Sequence, residues 1–353
     1  MAPERETDEA VLRSLGVPEE LISHASGSGP LSAFFESLPR RGAAARTVTA
    51  ADIEAEGGLP LPQMRELMLA LGFAAPEPHD PAFTPDEAQA FIALWHQQHL
   101  WPFDEAVQIA RLYGRLLARI AQASVQQWFA VAEPRLRAAE PDEAQRARAA
   151  AESFDAPLPV ADALLTGVHR RWVEREAAQI AVRSAESRAD AGLFGGLGEV
   201  SILFCDLKDF TAFADRQGDG AAIRIIDQLA STVMLERGKE ASLTKLLGDG
   251  FMIVYPEPLP AVEAAVRIME VMRAPEVPVI HASVHHGRAV PREGDYYGTA
   301  VNLAARLLTL AEGDELLVTA PVVERCPNLA WEHCGSERVR GVSEEVQVFR
   351  LRR

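Results

Sequence analysis

Two hydrophobic rhythms divide the chain. Up to about residue 187 apolar positions recur at helical spacing, and from Glu199 short apolar runs alternate with amphipathic helices. In the first part, residues 61–71 place Leu61, Met64, Leu67, Met68 and Leu71 on one stripe, with Gly72 as a C-terminal cap. Thr84-Pro-Asp-Glu87 is a capping box with proline at the first helical position, and it starts a helix running to about His99. Thr49-Ala-Ala-Asp52 opens a shorter helix that Gly57-Gly58 stops, and residues 8–15 form an amphipathic turn set ending at Gly16. Residues 103–130 carry Val107, Ala110, Tyr113, Leu117 and Ile120 at helical spacing. Residues 140–150, rich in Ala, Arg and Glu, read as solvent-facing. A last helix over 160–187 has Leu164, Leu165, Val168, Trp172 and Ile180 as its apolar positions. Its length and its exit into the glycine-rich segment 191–198 mark it as a connector with a hinge. Those glycines precede a strand and no Lys-Ser/Thr follows, so they read as a linker rather than a phosphate loop.

In the second part the pattern predicts a strand over 200–205 and helices over 211–216 and 221–237. Strands over 241–247 and 251–255 flank a turn at 248–250. A helix over 259–273 and a strand over 279–287 follow, then a loop over 291–296 and a helix over 299–310. Strands over 315–319 and 346–351 close the domain. The core order is β-α-β-β-α-β, a ferredoxin-like arrangement. The expected fold class is α+β: an all-α domain over 1–165, a linker helix and hinge over 166–198, and a ferredoxin-like domain over 199–353.

A chain of 353 residues is comfortable for two domains. Its 51 acidic against 35 basic residues, a net charge of −16, disfavour binding to a nucleic-acid backbone as the main task but leave room for a small local basic pocket for a nucleotide. The stretch 61–71 resembles half of a helix-turn-helix but offers only Arg65 to a phosphate backbone. Cys205, Cys326 and Cys334 are odd in number and scattered, which fits neither a metal knuckle nor a disulfide framework. The acidic N-terminus lacks the apolar core of a signal peptide, and no run approaches the ~20 apolar residues of a membrane span. The expected location is cytoplasmic.

The stretch 200–211, V-S-I-L-F-C-D-L-K-D-F-T, runs an apolar strand into Asp206 and then into a helix. Asp249 sits in a Gly-Asp-Gly turn between two apolar runs. Carboxylates at adjacent strand ends suit one or two Mg²⁺ ions, which take oxygen ligands and leave room for substrate phosphates. Taken singly, each is an ordinary solvated turn acid.

Taken together, F-C-D-L-K-D-F-T, K-L-L-G-D-G-F-M and G-D-Y-Y-G-T-A-V-N-L-A-A-R resemble the class III nucleotidyl cyclases over roughly the last 155 residues. The resemblance implies that Asp206 and Asp249 bind two Mg²⁺ or Mn²⁺ ions, helped by the Leu207 carbonyl. It implies that Lys245 and Asp295 read adenine, which makes ATP the substrate. Asn302 would orient the ribose and Arg306 would stabilise the transition-state phosphate, with Phe204, Leu207, Phe210 and Thr211 beside the substrate. Asn302 and Arg306 are four apart, so a helix puts them on one face. The implied partner is a second copy in a head-to-tail homodimer. The implied product is 3′,5′-cyclic AMP.

One departure stands out. Asp209 occupies a position where the family usually has glycine, so a weakened or inactive nucleotide-binding regulator is the alternative reading. The C-terminal Val339-Arg340-Gly341 resembles the family's closing segment. The segment 49–73 with A-F-T-P-D-E-A is similar to the helical regulatory domain of some actinobacterial class III adenylyl cyclases, which implies autoinhibition, with a proton or a hydrophobic ligand as input. Of His24, His79, His96, His99 and His169, only His169 lies on the connector helix, beside Arg170 and Arg171, and it is the candidate regulatory residue. Trp95, Trp101, Phe103, Tyr113, Trp128 and Phe129 read as helical core before they read as a ligand pocket. A Gly-Gly-Asp-Glu-Phe signature, which would mark a different cyclase on the same core, is absent.

Overall fold

The computed structural model describes residues 12–13, 17, 19–24, 29–186, 198–338 and 345–352. It divides into two compact units, 1–173 and 174–353.

The first unit is helical, with one short ribbon. Its helices are α1 (Glu19–His24), α2 (Gly29–Ala44), α3 (Ala50–Ala55), α4 (Leu61–Leu71), α5 (Pro85–His96) and α6 (Phe103–Gln127). After a single π turn, Trp128–Ala132, come α7 (Glu133–Ala139), α8 (Glu143–Asp155) and α9 (Leu158–Glu186), which runs past the unit boundary. The capping boxes at Thr49 and Thr84 both form, each with the side chain of the third helical residue bonded back to the cap. The core gathers Ile53, Leu59, Met64, Leu67, Phe83 and Val107.

Three expectations change. Residues 140–150 do not simply face solvent, because α8 buries Ala144, Ala147, Ala150 and Ala151 along one side. Helix α6 buries Val107 and Ala110 but leaves Tyr113, Leu117 and Ile120 exposed. The aromatic residues do not form one core: Trp128 is buried and packs edge-on to Phe35, Phe129 and Phe154, whereas Trp101, Tyr113 and Phe129 are exposed. The turn set over 8–15 and the glycine hinge fall almost wholly outside the described residues. Helix α2 and the two-stranded ribbon of β1 (Val48–Thr49) and β2 (Pro81–Phe83) are additions to the expected elements.

Among the described residues, the second unit is built on a sheet of eight strands. They are β3 (Gly198–Leu207), β4 (Leu243–Leu247), β5 (Gly250–Tyr255), β6 (Ile280–Arg292), β7 (Asp295–Tyr297), β8 (Leu316–Thr319), β9 (Trp331–Glu337) and β10 (Val346–Leu351). The order is β4-β5-β3-β6-β8-β10-β9, with β7 added to the end of β6. The central four strands, β4-β5-β3-β6, have the expected ferredoxin-like order. The expected loop over 291–296 is instead a hairpin, in which Arg292 pairs with Asp295. Helices α10 (Phe210–Gln217), α11 (Asp219–Glu236), α12 (Pro258–Val271), α13 (Thr299–Leu310) and the unanticipated α14 (Ala320–Arg325) cover the sheet. Alternation along β3 serves both faces. Leu203, Cys205 and Leu207 join the core under α11 and α12, while Ile202 and Phe204 pack with Met252, Val254 and Ala304 of α13.

This sheet also buries a titratable group. His285 on β6 is nearly inaccessible and shares a 2.7 Å hydrogen bond through Nδ1 with Thr319 Oγ1. Burial, and then the neighbouring His286, lower its pKa from 6.5 to about 4. The native state therefore binds this proton less readily than the unfolded chain. Stability is complete above pH 6.5 and declines as pH falls towards 4, by about 3 kcal/mol for this group. Urea unfolding at pH 7 and pH 4.5 is expected to show His285→Asn losing less stability than wild type by roughly that amount. Equal losses in the two proteins would contradict it.

Candidate active site

Asp206 is the penultimate residue of β3, and Gly250 at the start of β5 lies directly opposite in the antiparallel register. A two-residue loop, Gly248 and Asp249, joins β4 to β5. Gly248 takes φ +71°, which a II′-type hairpin asks of its first loop residue and glycine adopts without strain. Gly250 is required for a different reason. A Cβ there would sit 2.6 Å from Asp206 Oδ1 and 2.7 Å from the Cys205 carbonyl oxygen. Hairpin and glycine together bring Asp249 to the same sheet end as Asp206.

Burial, and then the charge of Asp206, raise the Asp249 carboxyl above its ordinary range. The same two causes push the Cys205 thiol up to about 12, so it stays a protonated core group. A cleft of about 470 Å³ opens over the pair. Its lining includes Asp206, Leu207, Asp209, Phe210, Thr211 and Asp249, six of the residues singled out by sequence, and also Lys208, Asp215 and His281. Four carboxylates around one cleft, two of them at strand ends over a glycine that leaves room for them, fit a hard divalent cation. Among the described residues no group of three or more His, Cys, Asp or Glu side chains could hold an ion. A cation here would complete its shell from backbone, water or phosphate oxygens, the habit of Mg²⁺.

The other residues lie apart from this cleft. Lys245 on β4 and Asp295 at the start of β7 form an ion pair with each other. Asn302 is exposed and Arg306 half-buried, one turn apart on α13, and Arg306 Nη1 is buried without a hydrogen-bond partner among the described residues. None of these four lines the cleft. Phe204, expected beside the substrate, has its side chain buried in the apolar cluster under α13 and does not line the cleft. Leu207 also packs its side chain in the core, at the cleft floor. Phe210 stacks on Phe213 with ring centroids 6.1 Å apart.

Asp209, the departure noted in the sequence, has φ +55° and ψ +31°. That left-handed conformation suits glycine and is tolerated by Asp at about 1 kcal/mol. His169 is exposed on α9 and bonds through Nε2 to Tyr113 Oη at 3.1 Å. Val339-Arg340-Gly341 lies outside the described residues. His281, which the sequence did not single out, is buried opposite Asp206 in the β3–β6 register. A lone histidine at the start of an apolar strand carries no local signal; only the pairing reveals it.

Comparison with known proteins adds the family context. No family model matches the chain. A pH-sensitive adenylate cyclase of Mycobacterium tuberculosis is 27% identical over 320 residues, covering 87% of this chain and 78% of that protein. This chain is similar to adenylate cyclases over both of its units. The adenylate cyclase of Streptomyces coelicolor is 28% identical to this chain over 225 residues, covering 62% of the chain and 55% of its own length. Among solved structures, the adenylyl cyclase CyaB from P. aeruginosa aligns with a TM-score of 0.41 and 18% identity over 44% of this chain and 95% of that one.

Proposed function

We propose that this chain is an adenylate cyclase, forming 3′,5′-cyclic AMP and pyrophosphate from ATP in a homodimer. The observation that carries the reading is Asp206 and Asp249 converging over Gly250, in a chain whose similarity to adenylate cyclases spans both units. Mg²⁺ or Mn²⁺, two per site, would supply Lewis-acid activation of the ribose 3′-hydroxyl and neutralise phosphate charge. Asp206 and Asp249 hold the cations, with the Leu207 carbonyl assisting. Lys245 donates to a ring nitrogen of adenine, and Asp295 accepts from its exocyclic amine. Asn302 orients the ribose, so that O3′ attacks the α-phosphorus in line as pyrophosphate leaves. Arg306 covers the oxygens that gain charge, for which its unpaired Nη1 is suited. Positioning and charge do most of this work. The separation of Lys245, Asp295, Asn302 and Arg306 from the aspartate cleft supports a head-to-tail dimer, in which each site takes its metals from one subunit and these four residues from the other. The helical unit is the control element in this reading, with His169 a candidate proton-sensitive group.

The test is cyclic AMP formation by the full chain with ATP and Mg²⁺ or Mn²⁺. Lys245→Glu with Asp295→Ser is expected to lower kcat/KM for ATP at least ~100-fold and to favour GTP, because each reader then faces the wrong edge of adenine. No cyclic AMP with either metal would sink the reading. Asp209 favours a second one, a nucleotide-binding regulator with little turnover, since its carboxylate faces the cleft from a glycine-like conformation. Product appearing only after Asp209→Gly would decide for that alternative.

A further inference from the structure

Helix α13 ends at Leu310, and the carbonyl of Ala311, its C-cap residue, is buried. The last carbonyls of a helix lack intrahelical donors and carry the negative end of its dipole. This one receives two donors from the neighbourhood of Asp206. His281 Nδ1 lies 2.9 Å from the Ala311 oxygen, and Lys208 Nζ donates to the same atom at 3.2 Å. A carbonyl can only accept, so His281 carries its proton on Nδ1. Its Nε2 is 3.9 Å from Asp206 Oδ2. Lys208 follows Asp206 by two residues, and its backbone N–H bonds to Val279 at the head of β6. One buried carbonyl therefore ties the metal loop, β6 and the end of α13 together.

Resting on the function proposed above, we propose that Lys208 and His281 are positioning residues. Through the Ala311 carbonyl they fix the placement of α13, and so of Asn302 and Arg306, relative to Asp206. In a head-to-tail dimer, Asp206 and α13 of one chain serve different active sites. The clamp therefore couples the metal half of one site to the ribose and phosphate half of the other. Lys208→Met removes the ammonium and keeps the stem. His281→Phe removes the donor, whereas His281→Asn retains one at the Nδ1 position.

The deciding experiment uses full-length heterodimers carrying two different tags. One chain bears Asp206→Asn, which leaves a single working site, made from the intact chain's Asp206 and the altered chain's α13. Adding Lys208→Met or His281→Phe to the altered chain is expected to lower kcat at the surviving site roughly tenfold or more, with KM for ATP changing much less. His281→Asn is expected to restore most of the rate. Full activity at the surviving site would overturn the coupling, because the two residues would then act only on their own Asp206. An inactive parent heterodimer would instead overturn the composite site itself. Hydrogen exchange on the full chain without metal or nucleotide gives an independent readout. Amides of residues 308–312 should exchange about tenfold faster in Lys208→Met and His281→Phe than in wild type or His281→Asn. Unchanged exchange would show that no clamp exists.

Discussion

Asp206→Asn is expected to reduce cyclic AMP formation by about a thousandfold or more, because a neutral amide would give up the charge that the proposed cation site relies on. Asn302→Ala should lose activity by a different route, through the ribose. The informative result is their combination. A purified heterodimer of one Asp206→Asn chain and one Asn302→Ala chain should recover about half of wild-type activity, because both lesions fall in one of the two symmetry-related sites and spare the other. Recovery cannot occur if each chain builds a complete site alone, so a heterodimer no better than either parent would refute the shared site. The position of Asn302 outside the aspartate cleft is what makes this outcome expected.

Gly250→Ala should be nearly as damaging, though it removes no functional group. The added methyl would lie 2.6 Å from Asp206 Oδ1 and 2.7 Å from the Cys205 carbonyl oxygen, and real carbon atoms do not approach so closely. Either the carboxylate or the β3–β5 pairing must shift, and a displacement near 1 Å can cost about a hundredfold in rate. Gly248→Ala is the matched control. Nothing lies within 4 Å of a Cβ there, and its φ of +71° imposes only backbone strain. It should lower stability by about 1 kcal/mol while sparing most of the activity. The two variants are compared by initial rates with Mn²⁺ and by thermal unfolding. Equal activity losses would mean that the turn's conformation matters, and not the room above Asp206.

The frame of the fold was legible where local chemistry and burial agree. Thr84 with Glu87, and the stripe ending at Gly72, mark helices whose caps form as expected. The chain order of the central elements, β-α-β-β-α-β, follows from period and turn residues, and the ferredoxin-like sheet agrees with it. The α2 segment escaped because Pro39 and Gly42 interrupt it, although Phe34 is fully buried. Strand β9, W-E-H-C-G-S-E, has no apolar alternation because it is an edge strand with both faces largely wet. Alanine concealed the buried side of α8, since a small residue looks alike inside and out.

In the candidate site, the turn positions of Asp206 and Asp249 and the shared face of Asn302 and Arg306 were legible from local pattern, but their roles rested on the resemblance to class III cyclases. The grip of Lys208 and His281 on Ala311 was not legible, because it joins residues as much as 103 apart in the chain. The burial of Phe204 depends on which face of β3 meets α13, and that is set by sheet register.

The ion pair between Lys245 and Asp295 has a consequence for selectivity. On the function proposed here, the nucleobase must displace an intramolecular rival before it binds. Adenine presents an acceptor to the lysine and a donor to the aspartate, so it replaces each partner with an equivalent one. Guanine has the reverse polarity at that edge. It would part the two charges and satisfy neither, leaving the pair to close again. Discrimination would then arise as much from what the empty site already holds as from what the correct base gains.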